Sequence, residues 1–317
     1  GIRASEMYDS ALRENNITNS RTWHGIYAIN SSNNVVENNL LTENRHDGIT
    51  FGENSENNTI RGNIIANNLL RHGIYLYAGA NNNQLLENNI TNMSNSGVAI
   101  EHSAENKIIS NFIRDSQNYG IVLDWADNNI VYNNYLNNSG NEGIILGDTN
   151  NNLIYNNYFR NNINVRLTGV NNNDQWNTTK TPGQNILGGP YLAGNFWSDY
   201  QGVDYNLDGI GDTNIPYNAS NAISNGGDYL PLVSSVIMRP VFEYDEFSEG
   251  ILDSTKWNEV PGSNINNLFT DEHFVDPNER LYHTAQIIPA DKGVKLNLLQ
   301  YTFAPGESVS FDVDYQS

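Results

Sequence analysis

Three consecutive stretches decide the fold: GITFGENSENNTIRGNIIANNLLRH (residues 48–72), GIYLYAGANNNQLLENNITNMSNS (73–96) and GVAIEHSAENKIISNFIRDSQNY (97–119). Each opens with Gly followed by Ile or Val, and the same dipeptide recurs every 23 to 25 residues through the first half of the chain. A fixed period of roughly 20–50 residues is typical of stacked repeats. The glycines of the series are Gly1, Gly25, Gly48, Gly73, Gly97, Gly120 and Gly143.

Apolar residues follow each glycine at alternate positions, which predicts a short β-strand with one buried face. One residue after the glycine stand Ile2, Ile26, Ile49, Ile74, Val98, Ile121 and Ile144, and two further on stand Ala4, Ala28, Phe51, Leu76, Ile100, Leu123 and Leu146. Such short segments, interrupted by Asn and Gly, do not fit helices. The sequence also lacks the Leu signature of the horseshoe-shaped leucine-rich repeat fold. The chain is therefore predicted to be all-β, a right-handed parallel β-helix of about seven to eight coils over residues 1–170.

Each coil also carries two further predicted apolar columns and one asparagine column. The second strand is assigned Leu12, Val35, Ile60, Leu85, Ile108, Ile130 and Leu153, and the third Ile17, Leu40, Ile65, Ile90, Ile113, Tyr135 and Tyr158. Between them lie Asn15, Asn38, Asn63, Asn88, Asn111, Asn133 and Asn156. We expect these amides to hydrogen-bond their copies in the next coil, as stacked Asn does in cross-β arrays.

The repeat fades after Leu167, and two further regions follow. Residues 171–235 are rich in Gly, Asn, Asp, Trp and Tyr and are predicted to cap the exposed edge of the last coil. An apolar plug is expected from Trp176, Tyr191, Phe196 and Trp197. Residues 240–317 are predicted to form an incomplete β-sandwich.

The amino-acid composition excludes or disfavours several classes of function. The formal net charge is −20, with 16 Lys and Arg against 36 Asp and Glu, so a nucleic-acid partner is disfavoured. The absence of cysteine excludes disulfides, Fe–S clusters and thiol nucleophiles. No apolar run is long enough to span a membrane. Because Gly1 opens directly inside the repeat, we expect a mature product or an excised fragment.

The residues resemble a known family. The coils look like the NosD-type or CASH β-helix repeats of carbohydrate-binding proteins and sugar hydrolases. Residues 176–232, with WNTTKTPG, GGPYLAGNFWSDY, DGIGDT and DYLPL, resemble the end of the β-helix in cell-surface proteins of methanogenic archaea. The segment from Phe242, with DEFSEGILD and then Lys256 and Trp257, resembles the opening of a concanavalin-like β-sandwich. The resemblance implies an extracellular or cell-surface location. A copper role is not carried over, because three Met and no Cys give no soft-ligand cluster.

One candidate catalytic group stands immediately before the glycines. Stacking places Asp47 one coil from both His24 and His72, with His46 and Arg71 alongside. A His flanked by a carboxylate and an Arg can abstract a uronate C5 proton while the Arg neutralises the sugar acid. The alternative is a set of exposed polar turn residues.

A candidate ligand-binding group lies just after the first strand of two adjacent coils. Glu101 and His102 stand in one coil and Asp124 and Trp125 in the next. Paired carboxylates beside an aromatic platform suit a sugar-binding face or glycoside hydrolysis. Tyr27, Tyr75 and Tyr77 point outward by alternation and add stacking surface. The alternative is a solvated face that tolerates aromatics.

Two further sets concern ions and glycans. Asp204, Asn206, Asp208 and Asp212, with Gly209, match the first part of a calcium loop, although residue 12 is Ile215 instead of the bidentate Glu. Structural Ca²⁺ is the expected cofactor, and an acidic turn without an ion is the alternative. Glycosylation sequons begin at Asn16, Asn30, Asn57, Asn89, Asn92, Asn137, Asn177 and Asn218.

The sequence supports two functions. The first is an extracellular structural or adhesion protein whose partner is a carbohydrate or cell-surface polymer, with self-association as an extension. The second is a polysaccharide lyase or epimerase acting on acidic sugars. The first is preferred, because in the middle of the stacked region the basic residues that a polyuronate site needs are few: Arg45, Arg61, Arg71, Lys107 and Arg114.

Overall fold

The chain divides into two compact units, residues 1–235 and 236–317. The computed structural model describes residues 1–21, 23–224 and 226–233 of the first unit and four short strands of the second. The described residues of the first unit contain strands and turns but no helix, and none of the described segments is a membrane-spanning helix.

The first unit is a parallel β-helix of about seven coils, as predicted. Each full coil contributes one strand to each of three sheets, and each strand pairs in parallel with its copy in the neighbouring coil. Sheet 1 carries the strands that follow the glycines. Its strands are Ile2–Ser5, Ile26–Ile29, Ile49–Gly52, Ile74–Tyr77, Val98–Glu101, Ile121–Asp124, Glu142–Gly147 and Ile163–Thr168.

The other two sheets are built from shorter strands. Those of sheet 2 are Ala11–Arg13, Val35–Glu37, Thr59–Arg61, Gln84–Leu86, Lys107–Ile109, Ile130–Tyr132 and Leu153–Tyr155. Those of sheet 3 are Asn16–Thr18, Leu40–Thr42, Ile64–Ala66, Asn89–Thr91, Phe112–Arg114, Tyr135–Asn137, Tyr158–Arg160 and, from the cap, Phe196–Trp197.

The interior is filled by the apolar columns. Both columns predicted for sheet 1 are confirmed, and Ile49, Ile74 and Phe51 among them are fully buried. Each such side chain contributes roughly 1.5–3 kcal/mol on burial. The columns of sheets 2 and 3 needed correction. In sheet 2, three interior positions are held by the residue after the predicted one: Val36, Val131 and Ile154 instead of Val35, Ile130 and Leu153. In sheet 3 the same shift puts Leu41, Leu136 and Phe159 inside instead of Leu40, Tyr135 and Tyr158.

The asparagine ladder exists, and in three coils its member is the residue after the predicted one. Asn63 donates both its backbone N–H and its side-chain Nδ2 to Oδ1 of Asn88, at 3.0 and 2.9 Å. The predicted members Asn38, Asn133 and Asn156 are wrong, and their successors take the place. The full ladder is Asn15, Asn39, Asn63, Asn88, Asn111, Asn134, Asn157 and Asn195.

The physical reason lies at the corner between sheets 2 and 3. Asn38, Asn133 and Asn156 have φ values of 55°, 57° and 53°, a left-handed conformation that Asn tolerates better than most residues. In these three coils the first Asn of the pair therefore makes the corner and the second turns inward. Since side chains alternate along a strand, this shift by one residue also shifts the apolar residue that follows it.

A second asparagine ladder, not predicted, runs along the corner between sheets 1 and 2. Its members are Asn34, Asn58, Asn83, Asn106, Asn129 and Asn152, and each backbone N–H is bonded to Oδ1 of the next. This ladder ends on Asp174, whose Oδ1 accepts both donors of Asn152 at 2.8 and 2.9 Å. The first ladder ends in the same way on Asp228, whose Oδ2 accepts the N–H of Asn195 at 2.7 Å.

The cap covers the last coil with aromatic rings. Trp176 and Trp197 are buried, and Trp197 stacks on Phe159 of the last coil with ring centroids 4.5 Å apart. Tyr191 and Phe196 are half-buried against a small cluster that includes Ile210 and Leu232. A hairpin of Thr181–Pro182 and Tyr191–Leu192 projects from the cap.

The second unit is described only by four strands. Trp257–Glu259 pairs antiparallel with Val294–Leu296, and His273–Val275 pairs antiparallel with Leu281–His283. The predicted concanavalin-like sandwich over residues 240–317 otherwise lies outside the described residues.

Candidate functional site

Most of the residues before the glycines are buried, and Tyr119 is partly exposed. Exposed turn residues were the alternative for this column, and the structure excludes it, since Asp47 is fully buried and His24 and His72 are nearly so. Ser96 and Glu142 of the same column are buried as well. Because the coils stack directly above and below, each of these side chains is covered by its neighbours instead of facing solvent.

Asp47 holds the two histidines of the adjacent coils. Its Oδ2 lies 2.9 Å from Nδ1 of His24, and its Oδ1 accepts the backbone N–H of His72 at 2.8 Å. The hydroxyl of Thr50 donates to the same Oδ2 at 3.1 Å and lies 3.1 Å from Nδ1 of His24. The carboxylate therefore fixes the position of one imidazole directly and of the other through its backbone.

Arg71 and Tyr75 complete this group on the side of the next coils. The His72 and Tyr75 ring centroids are 5.2 Å apart, and the Arg71 guanidinium lies 5.4 Å from the Tyr75 centroid. The Tyr75 hydroxyl donates to Oε2 of Glu101 at 2.6 Å. Within the described residues, Nδ1 of His72 is buried and has no hydrogen-bond partner. The hydrogen-bonding capacity of this nitrogen is therefore unused, at a position closed to solvent.

Aromatic rings surround the group and reach the surface. Trp23 is 43% exposed, and its ring lies 5.2 Å from His24 and 5.8 Å from His46. The Tyr27 and Tyr77 hydroxyls meet at 2.9 Å across the intervening coil. Gly52 permits this, since a Cβ there would overlap the Tyr77 ring. We call Trp23, His24, Tyr27, His46, Asp47, Arg71, His72, Tyr75 and Tyr77 the histidine–aromatic surface.

The electrostatics favour neutral imidazoles beside an ionised carboxylate. Burial lowers the pKa of His72 and of His46. Burial by itself would raise the pKa of Asp47, but the hydrogen bond from His24 and the attraction of both histidines outweigh it and lower that pKa. Burial and the bond to Glu101 raise the pKa of Tyr75. Near neutral pH, His72 and His46 are therefore neutral imidazoles.

The second candidate group continues along the same outer face. Glu101 and Asp124 are cross-coil neighbours, and the His102 and Trp125 rings stack with centroids 5.9 Å apart. Burial, followed by the charge of Glu101, raises the pKa of Asp124. Trp125 is 57% exposed. This carboxylate pair and the exposed ring offer hydrogen-bond acceptors beside an apolar platform.

The structure adds residues that sequence reasoning missed. Trp23 belongs to the histidine–aromatic surface, and its signal in the sequence was its place directly before His24. The buried Thr50 bonds Asp47 and lies next to His24. Tyr75 was expected to point outward into solvent, but it is only 9% exposed because Arg71, His72 and Tyr77 pack around it.

The predicted calcium loop is closed on its own backbone. Oδ2 of Asp204 accepts the N–H of Gly209 at 2.7 Å, and Oδ2 of Asp212 accepts the N–H of Tyr205 at 2.8 Å. Asn206 Oδ1 accepts the N–H of Asp208, and the Asp208 carboxylate is paired with Lys180. The described residues contain no group of three or more His, Asp or Glu side chains gathered around one point. Calcium binding here therefore requires the Lys180 ammonium to be displaced.

All of the predicted glycosylation asparagines lie in the described part of the chain. Asn16, Asn57, Asn89 and Asn92 are exposed, and Asn30, Asn137, Asn177 and Asn218 are partly exposed. None of them belongs to either buried ladder. A glycan on any of them would leave the ladders intact.

Comparison with known families supports a right-handed β-helix region. Residues 82–202 match the family described as periplasmic copper-binding protein (NosD), and residues 1–111 match the right handed beta helix region. No curated protein matches the chain significantly.

Solved structures with a similar fold include enzymes that act on polysaccharides. The periplasmic alginate epimerase AlgG is 23% identical, with a TM-score of 0.44 over 53% of this chain and 39% of that chain. The A-module of mannuronan C-5 epimerase AlgE6 from Azotobacter vinelandii is 13% identical, with a TM-score of 0.44 over 54% and 56%. The catalytic domain of a GH87 alpha-1,3-glucanase in complex with nigerose is 14% identical, with a TM-score of 0.35 over 53% and 39%. The chain thus spans well under two thirds of each, and the likeness concerns the fold.

Proposed function

We propose that this chain is an extracellular, cell-surface protein whose sheet 1 binds polysaccharide. The observation that carries the proposal is one continuous outer face. It begins with the exposed and half-exposed rings of Trp23, Tyr27 and Tyr77 and continues to the Glu101–Asp124 pair and Trp125. Aromatic side chains with polar partners present an apolar ring and a hydrogen-bonding edge together, which suits a sugar.

The spacing of the coils supports an extended ligand. Successive coils lie about 4.8 Å apart, so the strip from Trp23 to Trp125 extends for roughly 20 Å along the helix axis. That length accommodates several sugar rings of a linear chain. Charge varies along the strip, since Arg71 lies in its middle coil and Glu101 and Asp124 lie in its last two coils. A polymer with both hydroxyl and acidic groups matches this arrangement.

The location is proposed on separate grounds. The matching NosD family is described as periplasmic, and residues 176–232 resemble surface proteins of methanogens. Both are compatible with a protein exported to meet a cell-surface or extracellular polymer. Self-association is a further extension, for which sedimentation at increasing protein concentration is the measurement.

Binding can be tested by affinity gel electrophoresis through soluble polysaccharides, with alginate and polygalacturonate as acidic polymers and dextran as a neutral one. Trp23→Ala and Trp125→Ala remove exposed rings without touching the core. Tyr205→Ala, an exposed ring of the cap, is the matched control. We expect retardation of the native chain and of the control and its loss in the double variant. Equal mobility of the chain in all gels, or equal retardation of all variants, contradicts the proposal.

A second candidate function is proton abstraction from a uronate. The specific observation is His72, which follows Arg71 in the chain, has an unpartnered Nδ1 and is held through its backbone by Asp47. Because this Nδ1 is buried, the reaction requires the side chains that cover it to move. In this reaction the C5–H bond of the sugar breaks and His72 takes the proton, while Arg71 neutralises the carboxylate. A lyase then forms the C4–C5 double bond and releases the C4 oxygen, and an epimerase returns a proton to the opposite face.

This second candidate predicts a measurable product. Incubation with alginate or polygalacturonate is expected to give either the ultraviolet absorbance of an unsaturated uronate or deuterium at C5 from heavy water. His72→Ala is expected to abolish both, and Asp47→Ala to reduce them strongly. Because burial lowers the pKa of His72, activity should persist through neutral pH and fall only on acidification below the ordinary histidine range. If the chain binds these polymers but gives neither the absorbance change nor the deuterium label, only the polysaccharide-binding function remains.

A further inference from the structure

A cavity of about 470 Å³ lies on a different face of the molecule, under the tip of the cap hairpin. Phe112 and Tyr135 of sheet 3 form one wall, and Ser110 and Asn133 line it from the corner between sheets 2 and 3. Gln184, Asn185, Ile186 and Gly188 of the hairpin tip form the opposite wall. We call this space the hairpin cavity.

The hairpin tip is held in place before any ligand arrives. The buried side chain of Asn185 accepts the N–H groups of Leu187 and Gly189 at 3.0 and 2.9 Å and donates to the Tyr191 carbonyl at 3.0 Å. The N–H of Ile186 is bonded to Oδ1 of Asn156 in the last coil at 2.9 Å. A preformed wall reduces the entropy that a ligand loses on binding.

The opposite wall is the start of an aromatic stack. Phe112, Tyr135, Tyr158 and Phe196 follow one another with centroid separations of 5.0, 4.3 and 4.5 Å. Phe112 begins the stack and is 37% exposed. The aromatic wall therefore offers apolar surface at the point where the cavity opens.

The polar groups of the cavity are all uncharged. Among the residues that the structure describes, no Lys, Arg, Asp or Glu lines it. Arg114, which lies 5.7 Å from the Phe112 centroid outside the lining, is itself close to Asp115 at 3.7 Å. Gln184 is exposed, and its amide makes no hydrogen bond to another described residue. This neutral set contrasts with the net charge of −20 of the whole chain.

We propose that the hairpin cavity binds one or two neutral sugar rings, as a second carbohydrate site distinct from the strip on sheet 1. Its volume falls in the lower part of the roughly 300–1,000 Å³ range of small-molecule sites. The apolar face of a sugar packs against Phe112 and Tyr135, and its hydroxyls bond the Gln184 amide and the Ser110 hydroxyl. An anionic sugar gains no counter-charge here, and its desolvation would cost binding energy.

The test is ligand-observed NMR and calorimetry with maltose, cellobiose and lactose, and with digalacturonate as the anionic probe. Gln184→Ala and Phe112→Ala alter the cavity. Tyr132→Ala is the matched control, since Tyr132 stacks on Tyr155 at 4.6 Å on sheet 2 and does not line the cavity. We expect a neutral disaccharide to bind, Gln184→Ala to raise its Kd by about tenfold, and the control to leave Kd unchanged.

The outcomes separate this site from the one on sheet 1. The cavity is established as a site if a neutral disaccharide still binds to the Trp23→Ala and Trp125→Ala variants but no longer binds to Gln184→Ala or Phe112→Ala. This result would hold even if the strip on sheet 1 binds nothing. Absence of binding by all three neutral disaccharides overturns the inference. So does binding that Gln184→Ala and Phe112→Ala leave unchanged, or a preference of the cavity for digalacturonate.

Discussion

A single ladder asparagine ties three coils together. Asn63 donates to Asn88 and to the Val36 carbonyl, and its Oδ1 accepts two bonds from Asn39 at 3.0 and 2.9 Å. Every polar atom of the buried amide is therefore used. Buried polar groups are costly when unpaired, so the ladder fixes the order of the coils as well as stabilising them.

Asn88→Ala is expected to lower the free energy of unfolding by roughly 2–4 kcal/mol, because it removes the acceptor of two buried donors on Asn63 and the donor to the Ile60 carbonyl. Asn89→Ala is the control one residue away, where the side chain is exposed and bonded only to Thr91. A change within about 0.5 kcal/mol is expected there. Urea unfolding of both variants is the measurement, and equal losses would show that the ladder has no special role.

Asp228 gives the cap a predicted pH dependence. Burial raises its pKa to about 7, although donors from Asn195, Trp197 and Leu230 act in the opposite direction. A carboxyl whose pKa is higher in the fold than in the unfolded chain stabilises the fold at low pH. That contribution is lost as pH rises from about 4 to about 7.

Thermal unfolding of the native chain and of Asp228→Asn across this range is the measurement. The native chain should lose stability relative to the variant as pH rises through the window. The variant should be less stable at every pH, since an amide offers N–H groups to a site that is filled with donors. Parallel curves would show that Asp228 does not titrate there.

At the scale of the strand, periodicity predicted the fold but not the register of sheets 2 and 3. In several coils two apolar residues follow each other, as in Leu40-Leu41 and Ile130-Val131, and alternation alone cannot choose between them. The choice is made at the corner before the strand, where the first Asn adopts positive φ and the second turns inward. Asn38-Asn39, Asn133-Asn134 and Asn156-Asn157 each consist of a corner residue and a ladder residue. In Asn15-Asn16 and Asn88-Asn89 the first Asn is the ladder residue, so an Asn-Asn pair by itself does not give the register.

The corrected register predicts different costs for two neighbouring leucines. Leu41 is fully buried and Leu40 is 37% exposed. Leu41→Ala should cost about 2–5 kcal/mol through lost burial and a cavity, and Leu40→Ala less than about 1 kcal/mol. Chemical denaturation of the two variants measures both. The reverse order would restore the register in which Leu40 points inward.

The acidic turn of the cap also gives an element-scale prediction. If Asp204, Asn206, Asp208 and Asp212 take up Ca²⁺, the ion must replace Lys180 at the Asp208 carboxylate. Calorimetric titration with CaCl₂ is expected to show binding that is strengthened by Lys180→Ala and abolished by Asp212→Asn. A calcium-dependent rise in Tm should accompany it. If neither the native chain nor the Lys180→Ala variant gives more heat than dilution into buffer, the turn does not bind the ion.

At the scale of the molecule, the stacking of coils explains which features of the candidate site could be predicted from the sequence. His24, Asp47 and His72 occupy one column, so their neighbourhood followed from the period. Their burial did not, because exposure at a turn depends on coils above and below. The hairpin cavity had no signal at all, since it joins residues 110–135 to a hairpin outside the repeat.

Removal of one whole coil should preserve the fold. Deleting residues 106–128 joins Glu105 to Asn129, which is the ladder equivalent of Asn106 23 residues later. We expect a folded β-rich protein by circular dichroism, with an m-value reduced in proportion to the lost surface. Deleting residues 106–117, about half a coil, breaks the register and should prevent cooperative unfolding. Equal behaviour of the two deletions would contradict the stacked repeat.

The two carboxylates at the ends of the ladders give the stack a direction. Asp174 and Asp228 receive hydrogen bonds from the last asparagines, but a carboxylate has no N–H to pass to a following coil. The series is thus terminated chemically as well as sterically. Whole coils inserted or removed before residue 174 would therefore change the length of the β-helix and leave the chemistry at this end of the ladders unchanged.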